Sequence, residues 1–194
     1  MTGRERYAAG PAHGAQVRKD AGTWTLVLVR ELRHPPEKVW RALTDPAQLR
    51  EWAPFDADGN LGSAGRTVNL TTVGTPKPQV SETKVTRADA PNVLEYNWGT
   101  HDMRWELQAS GSGTRLTLWH NIDRRFISMG AAGWHICFDV LARLLEETPI
   151  GRIVAGEAMK FGWPRLNAEY ASQFEVEAPD LPPQLAKNAQ AKGS

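Results

Sequence analysis

The sequence has a single cysteine among its 194 residues, Cys137, so no disulfide bond can form within the chain. It also has little net charge, because 23 Lys and Arg face 22 Asp and Glu and leave a formal charge of +1. Nucleic-acid-binding domains carry a concentrated basic face, and charged tails show runs of like charge. Neither pattern occurs here, so we expect no nucleic-acid partner.

Signals for export or membrane insertion are missing as well. The N-terminal residues MTGRERYAAGPAHGAQ lack the apolar core of a signal peptide. No stretch approaches the about 18 apolar residues that a membrane span requires. A lone cysteine fits a reducing compartment, and together these features predict a cytoplasmic protein without a membrane span.

The common catalytic and metal-binding motifs are also missing. The five histidines are scattered, and no HExxH, paired-Cys, GxSxG, P-loop or GxGxxG pattern occurs. We therefore expect no metal and no cofactor. Cys137 lies on the apolar side of a predicted helix, where a buried thiol is inert.

Composition predicts one folded domain with two unstructured ends. Residues 1–22 are rich in Gly, Ala and Arg without periodicity and are interpreted as a flexible leader. Residues 175–194 are polar, contain three prolines and are interpreted as a disordered tail. The domain should therefore span residues 23–174.

Two short helices are indicated by the segment HPPEKVWRALTDPAQLREW. Pro36 suits a first helical turn, where its missing N–H is not needed. Asp45 is placed as the N-cap of a second helix, with Pro46 next to it. The Ala53–Pro54 step should end that helix, so helices are predicted near residues 36–44 and 46–52.

Period-2 alternation of apolar and polar residues predicts a set of antiparallel strands with one covered face. They are residues 24–33, 66–73, 79–87, 93–99, 103–109 and 114–120. In this register Arg104 and Glu106 face solvent, and a slip of one residue would turn both inward.

Helical spacing of apolar residues predicts a long helix near residues 131–148, with Trp134, Cys137, Phe138 and Leu141 on its apolar face. A further helix is predicted over residues 163–174. The order of elements indicates an α+β fold in which a helix packs on one side of an antiparallel sheet.

The opening segment VRELRHPPEKVWRALTDPAQLREW resembles the START-like SRPBCC superfamily, in particular the branch named after the activator of heat shock protein 90 ATPase. The segments LEYNWG, GTRLTLWH and GWHICFDVLARLL support this resemblance, which covers about residues 24–145. It implies a helix-grip fold: a curved antiparallel β-sheet wrapped around a long C-terminal helix, with two short helices after the first strand. It also implies a cavity for apolar molecules between sheet and helix.

Three functions are compatible with such a fold. The first is binding of a small apolar or amphipathic molecule. The second is an enzyme that uses the same cavity in a cyclase- or hydrolase-like reaction, with His120 as acid or base, because imidazole titrates near neutrality. The third is a chaperone-associated or other protein-interaction module with a filled pocket, and a homodimer is left open.

A chaperone partner is not expected. The eukaryotic activators carry an additional N-terminal domain that binds the chaperone, and only a 22-residue leader precedes the predicted domain here. We therefore expect binding of a small molecule, and no catalytic residue is assigned.

The candidate ligand-binding residues are the aromatic and polar side chains expected to face inward. They are Trp52, Phe55, Tyr96, Trp98, Met103, Trp105, His120, Trp134 and Phe138. Trp52 and Phe55 lie on a loop where a gate to a cavity could sit. His120 continues the inward face of its strand as a polar anchor. His135 and Asp139 are interpreted as a surface pair on one helix.

Overall fold

The computed structural model describes residues 2–179. Its helices and strands, in chain order, are β1 Ala15–Asp20, β2 Thr23–Leu32, α1 Pro36–Thr44, α2 Pro46–Trp52, β3 Phe55–Ala57, β4 Thr67–Thr72, β5 Gln79–Lys84, β6 Arg87–Asp89, β7 Val93–Trp98, β8 His101–Ser110, β9 Gly113–Asn121, α3 Ile127–Leu145 and α4 Trp163–Phe174. Short 3₁₀ turns at Arg124–Phe126 and Ala155–Phe161 precede α3 and α4. This is the predicted α+β, helix-grip arrangement, with α3 as the long helix.

The predicted helix pair is confirmed with its bounds. The Asp45 side chain accepts a hydrogen bond from the backbone N–H of Ala47 at 2.8 Å, which caps α2. The indole N–H of Trp52 donates to the carbonyl oxygen of Ala42 at 2.9 Å. This bond joins the end of α2 to α1 and holds Trp52 in the core.

The strands form two sheets, where the sequence analysis expected one. The larger sheet has the order β1-β2-β9-β8-β7-β6 and the smaller has the order β3-β4-β5, with antiparallel pairs throughout. Side chains bridge β5 and β7: the backbone N–H of Asn97 donates to Thr83 Oγ1 at 3.0 Å, and that of Gly99 donates to Ser81 Oγ at 3.3 Å. The backbone ladder between the two sheets is interrupted there, because these N–H groups donate to side-chain hydroxyls and not to the backbone carbonyl oxygens of β5.

The predicted register of β8 is confirmed. Trp105 pairs with Leu118 of β9 and is buried. Arg104 faces the opposite side, where its guanidinium bonds to the carboxylates of Glu95 and Glu106. The charged residues therefore lie on the outer face, and the sheet presents an apolar face to α3.

Helix α3 begins at Ile127, four residues before the predicted start, and it is buried on two sides. Its second side packs against α4, so the expected surface position of His135 was wrong. His135 is fully buried, and its Nδ1 lies 2.7 Å from the hydroxyl of Tyr170 on α4. Asp139 Oδ2 lies 3.6 Å from His135 Nε2.

The predicted flexible leader is ordered in the structure. Residues 15–20 form β1, which pairs with β2 at the edge of the larger sheet. The Tyr7 hydroxyl donates to Asp139 Oδ2 at 2.7 Å, and Arg4 Nη1 donates to the carbonyl oxygens of Ile150 and Gly151. Backbone pairing and polar hydrogen bonds hold this segment in place. Such contacts need no apolar periodicity, so the sequence carries no sign of them.

The predicted disordered tail, residues 175–194, falls mainly on residues 180–194, which lie outside the described part of the chain. Within residues 2–179, no helix has the length and apolar character needed to cross a membrane.

Candidate functional site

A cavity of about 610 Å³ lies between α3, the strand ends near the β7–β8 turn, and the segment that connects α3 to α4. Trp98 at the end of β7, His101 at the start of β8 and His120 near the end of β9 line one side. The opposite side is formed by α3 and by the chain that follows it up to the start of α4. The residues are Met129, Gly130, Gly133, Trp134 and Cys137 of α3, Ile153, Val154, Ala155, Ala158 and Met159 of the connection, and Trp163 of α4.

The cavity lining carries no formal charge within the described residues. Neither Asp, Glu, Lys nor Arg lines it, and its polar groups come from Thr, Ser, Gln and His side chains and from backbone. An apolar lining with a few polar groups is typical of small-molecule sites.

Two exposed apolar side chains, Val80 on β5 and Phe126 before α3, also line the cavity. Val80 is 65% exposed and Phe126 is 47% exposed, and both stand out among the large apolar residues that the structure describes. The predicted gate residues Trp52 and Phe55 are instead fully buried. Val80 and Phe126 therefore mark the exposed side of the cavity, and Pro54 of the loop after α2 also lines it.

His120 is the most buried polar side chain of the cavity, with 3% of its surface exposed. The indole N–H of Trp134 donates to His120 Nδ1 at 3.0 Å. His120 Nε2 is buried and has no hydrogen-bond partner among the described residues. Burial, with a smaller contribution from His101, lowers the pKa of His120 to about 3, so the ring is neutral at physiological pH.

His101 stands beside His120 with 5.1 Å between ring centroids. Its Nδ1 lies 2.7 Å from the carbonyl oxygen of Asn121. A carbonyl oxygen can only accept, so His101 Nδ1 carries a proton. The second ring nitrogen of His101 is therefore the one left for other partners.

Trp134, which lines the cavity, packs among other aromatic rings. Trp134 lies 6.0 Å from Trp98, 5.5 Å from Trp105 and 6.0 Å from Phe138 between ring centroids. The indole N–H of Trp98 donates to Thr72 Oγ1 at 2.9 Å, which links the two sheets at this point. The indoles of Trp98 and Trp134 thus both have hydrogen-bond partners, which hold their rings in place.

The nine predicted ligand-binding residues separate into two groups. Trp98, His120 and Trp134 line the cavity. The other six lie in the packed core outside its lining, and they are Trp52, Phe55, Tyr96, Met103, Trp105 and Phe138. Tyr96 and Trp105 bond to each other, since the Trp105 indole donates to the Tyr96 hydroxyl at 3.1 Å.

The contribution of the α3–α4 connection was not predicted from the sequence. Ile153, Val154, Ala158 and Met159 have no helical or strand periodicity that points to a site. Gly130 and Gly133 carried a weak signal, because small residues inside an apolar helix leave space beside it. Cys137 also lines the cavity, and burial raises the pKa of its thiol to about 12, so it stays protonated.

The protein thus has a helix-grip fold and a cavity beside α3 whose lining carries no formal charge. The chain belongs to the family of activator of Hsp90 ATPase homolog 1-like proteins, whose model matches residues 33–146, more than half of its length. No curated protein sequence matches it significantly.

Solved structures share the fold. The protein MLL2253 from Mesorhizobium loti is 26% identical, with a TM-score of 0.56 over 65% of this chain and 99% of its own. The protein BPP1335 from Bordetella parapertussis is 22% identical, with a TM-score of 0.60 over 91% of this chain and 98% of its own. EF2215 from Enterococcus faecalis, described as a conserved protein of unknown function, is 20% identical, with a TM-score of 0.60 over 82% of this chain and 89% of its own.

Proposed function

We propose that this protein binds a small apolar or amphipathic molecule in the cavity beside α3. The observation that carries the proposal is the cavity of about 610 Å³ with an uncharged, mainly apolar lining. Its volume falls in the range of about 300–1,000 Å³ that is common for small-molecule sites. The two exposed apolar residues Val80 and Phe126 mark the entrance for such a molecule.

Two observations favour binding over the alternatives. A catalytic acid or base works best with a pKa near the operating pH, whereas burial lowers the pKa of His120 to about 3. A protein-interaction module with a filled pocket would leave no internal space, whereas this cavity is open. We also propose a cytoplasmic location, because a single cysteine fits a reducing compartment.

Two substitutions at Gly133 test the proposal. Gly133 lines the cavity, and a Cβ atom built there has its nearest neighbour, Trp163 Nε1, at 3.9 Å. Gly133→Ala therefore fits with ordinary contacts, and Gly133→Phe would place a ring in the cavity. Both changes replace a helical glycine with a residue of higher helix propensity.

The uncharged dye Nile red serves as the probe. Wild type and Gly133→Ala should bind it with a rise in dye emission, and Gly133→Phe should bind it at least about tenfold more weakly, a loss of about 1.4 kcal/mol. Circular dichroism checks that all three proteins are folded. Equal binding by wild type and Gly133→Phe would place the dye elsewhere and remove the support for a cavity ligand.

A further inference from the structure

We infer that the ligand of this cavity is an uncharged apolar molecule with a hydrogen-bond-accepting oxygen, as in a ketone, aldehyde or ester, and that His120 Nε2–H donates to this oxygen. The inference rests on the proposed function and specifies the chemical class of the ligand.

The hydrogen bond from Trp134 determines the proton position on His120. An indole N–H can only donate, so His120 Nδ1, at 3.0 Å from it, must offer a lone pair. A neutral imidazole with a lone pair on Nδ1 carries its proton on Nε2. His120 therefore presents a donor at Nε2, and an acceptor on the ligand is its complement.

This donor has no partner among residues 2–179, although it is buried. Buried donors in folded proteins are nearly always paired. The nearest rings on the cavity side are His101 at 5.1 Å and Trp98 at 6.1 Å between centroids, and both line the cavity. Because His120 Nε2 is buried, a ligand oxygen reaches it only when a neighbouring side chain moves, and we assign this movement to His101, which lies beside it and is partly exposed.

Charge narrows the ligand class further. The lining described above holds no Asp, Glu, Lys or Arg, and a charged ligand group would be buried there without a counterion. Burying an unpaired charge is far more costly than burying a carbonyl oxygen that receives a hydrogen bond. Burial also keeps the His120 ring neutral, with a pKa of about 3, so it supplies no positive charge for an anion.

Three naphthalene probes of similar shape test the inference. 2-Acetylnaphthalene carries a carbonyl oxygen, 2-isopropenylnaphthalene has a CH₂ group in its place, and 2-naphthoate carries a charge. Binding is followed by the quenching of Trp emission. Wild type should bind the ketone roughly 5- to 150-fold more tightly than the alkene, the factor that corresponds to pairing one buried donor, and the naphthoate most weakly.

Two variants complete the design, and each replaces one histidine with phenylalanine. His120→Phe removes the donor, so the ratio of ketone to alkene affinity should fall to about one. His101→Phe removes the neighbouring histidine and should keep the preference for the ketone. The ratio within each variant is the readout, so a general change in cavity shape cancels.

The proton position on His120 is measured separately by long-range ¹H–¹⁵N correlation NMR on wild type. A neutral ring protonated at Nε2 is expected, and a proton on Nδ1 would overturn the inference whatever the variants do. Equal affinity for ketone and alkene in wild type would overturn it as well and leave the proposed binding function standing. Failure of every probe to bind would overturn both.

Discussion

The indole N–H of Trp134 donates a hydrogen bond to His120 Nδ1 at 3.0 Å, and both side chains are 97% buried, with 3% of each exposed. The bond joins the middle of α3 to the end of β9. Because both residues also line the cavity, the same contact positions the helix on the sheet and orients the polar group inside the site.

Loss of this bond should reduce stability. Trp134→Phe leaves His120 Nδ1 buried without its donor, and we expect the free energy of unfolding in urea to fall by about 1–3 kcal/mol or more, since ring volume is also lost. His120→Phe leaves the indole unpaired at a similar cost. The double variant should cost clearly less than the sum of the two, because neither polar group is then left alone. Additive losses would mean that the bond contributes nothing.

Burial of His120 also predicts a pH dependence of stability. Its pKa is lowered from 6.5 to about 3, so the unfolded chain binds a proton in this window and the folded protein does not. The contribution of His120 to the free energy of unfolding is therefore complete above about pH 6.5 and is lost progressively as the pH falls toward 3. His120 should account for about 2 kcal/mol of the stability difference between pH 7.5 and pH 5.

A His120→Gln variant measures that contribution. Urea unfolding at both pH values should show the difference reduced by about 2 kcal/mol relative to wild type. Part of the pH dependence should persist, because burial also lowers the pKa of His135 to about 3. An unchanged difference between the two pH values would show that His120 titrates normally.

The packing of α3 on the sheet predicts unequal effects of two Phe substitutions. Phe138 is 1% exposed and contacts the rings of Trp105 and Trp134. Phe138→Ala should lower the free energy of unfolding by about 3–5 kcal/mol. Phe126→Ala, at the exposed side of the cavity, should cost less than about 1 kcal/mol. Similar losses in the two variants would contradict the core position of Phe138.

The ordered N-terminal segment predicts slow hydrogen exchange. Amides of residues 15–20 that pair with β2 should exchange more slowly than those of the exposed loop at residues 74–78, because opening β1 breaks its pairing with the sheet. Hydrogen-exchange mass spectrometry compares the two peptides directly. Exchange of both at the same rate would support the flexible leader that the sequence suggested.

Local signals in the sequence predicted much of the fold. Pro36 marks the start of α1, and Asp45 with Pro46 marks the start of α2, through local capping and backbone geometry. The register of β8 was predicted from the alternation of Trp105 with Arg104 and Glu106. In these places the structure depends on residues that are neighbours in the sequence, so a single sequence is enough to predict it.

The elements that were missed depend on distant contacts. β1 has few apolar residues, and its position is determined by backbone pairing with β2. Trp52 and Phe55 were expected on a loop after a short helix, yet Trp52 ends α2 and Phe55 begins β3. The bond from Trp52 to Ala42 and the surrounding core bury them. Ile153 and Met159 reach the cavity only because the chain returns to α3 before α4. His120 was predicted to face inward, and its proton position emerged only with Trp134 beside it.

Methionine methyl NMR tests cavity binding most directly. Met129 and Met159 line the cavity, whereas Met103 lies buried on β8 outside its lining. During titration with 2-acetylnaphthalene, the methyl signals of Met129 and Met159 should shift strongly with one common affinity, and that of Met103 should shift least. Saturable binding that leaves Met129 and Met159 unmoved, or no shift of any signal, would contradict a ligand in this cavity.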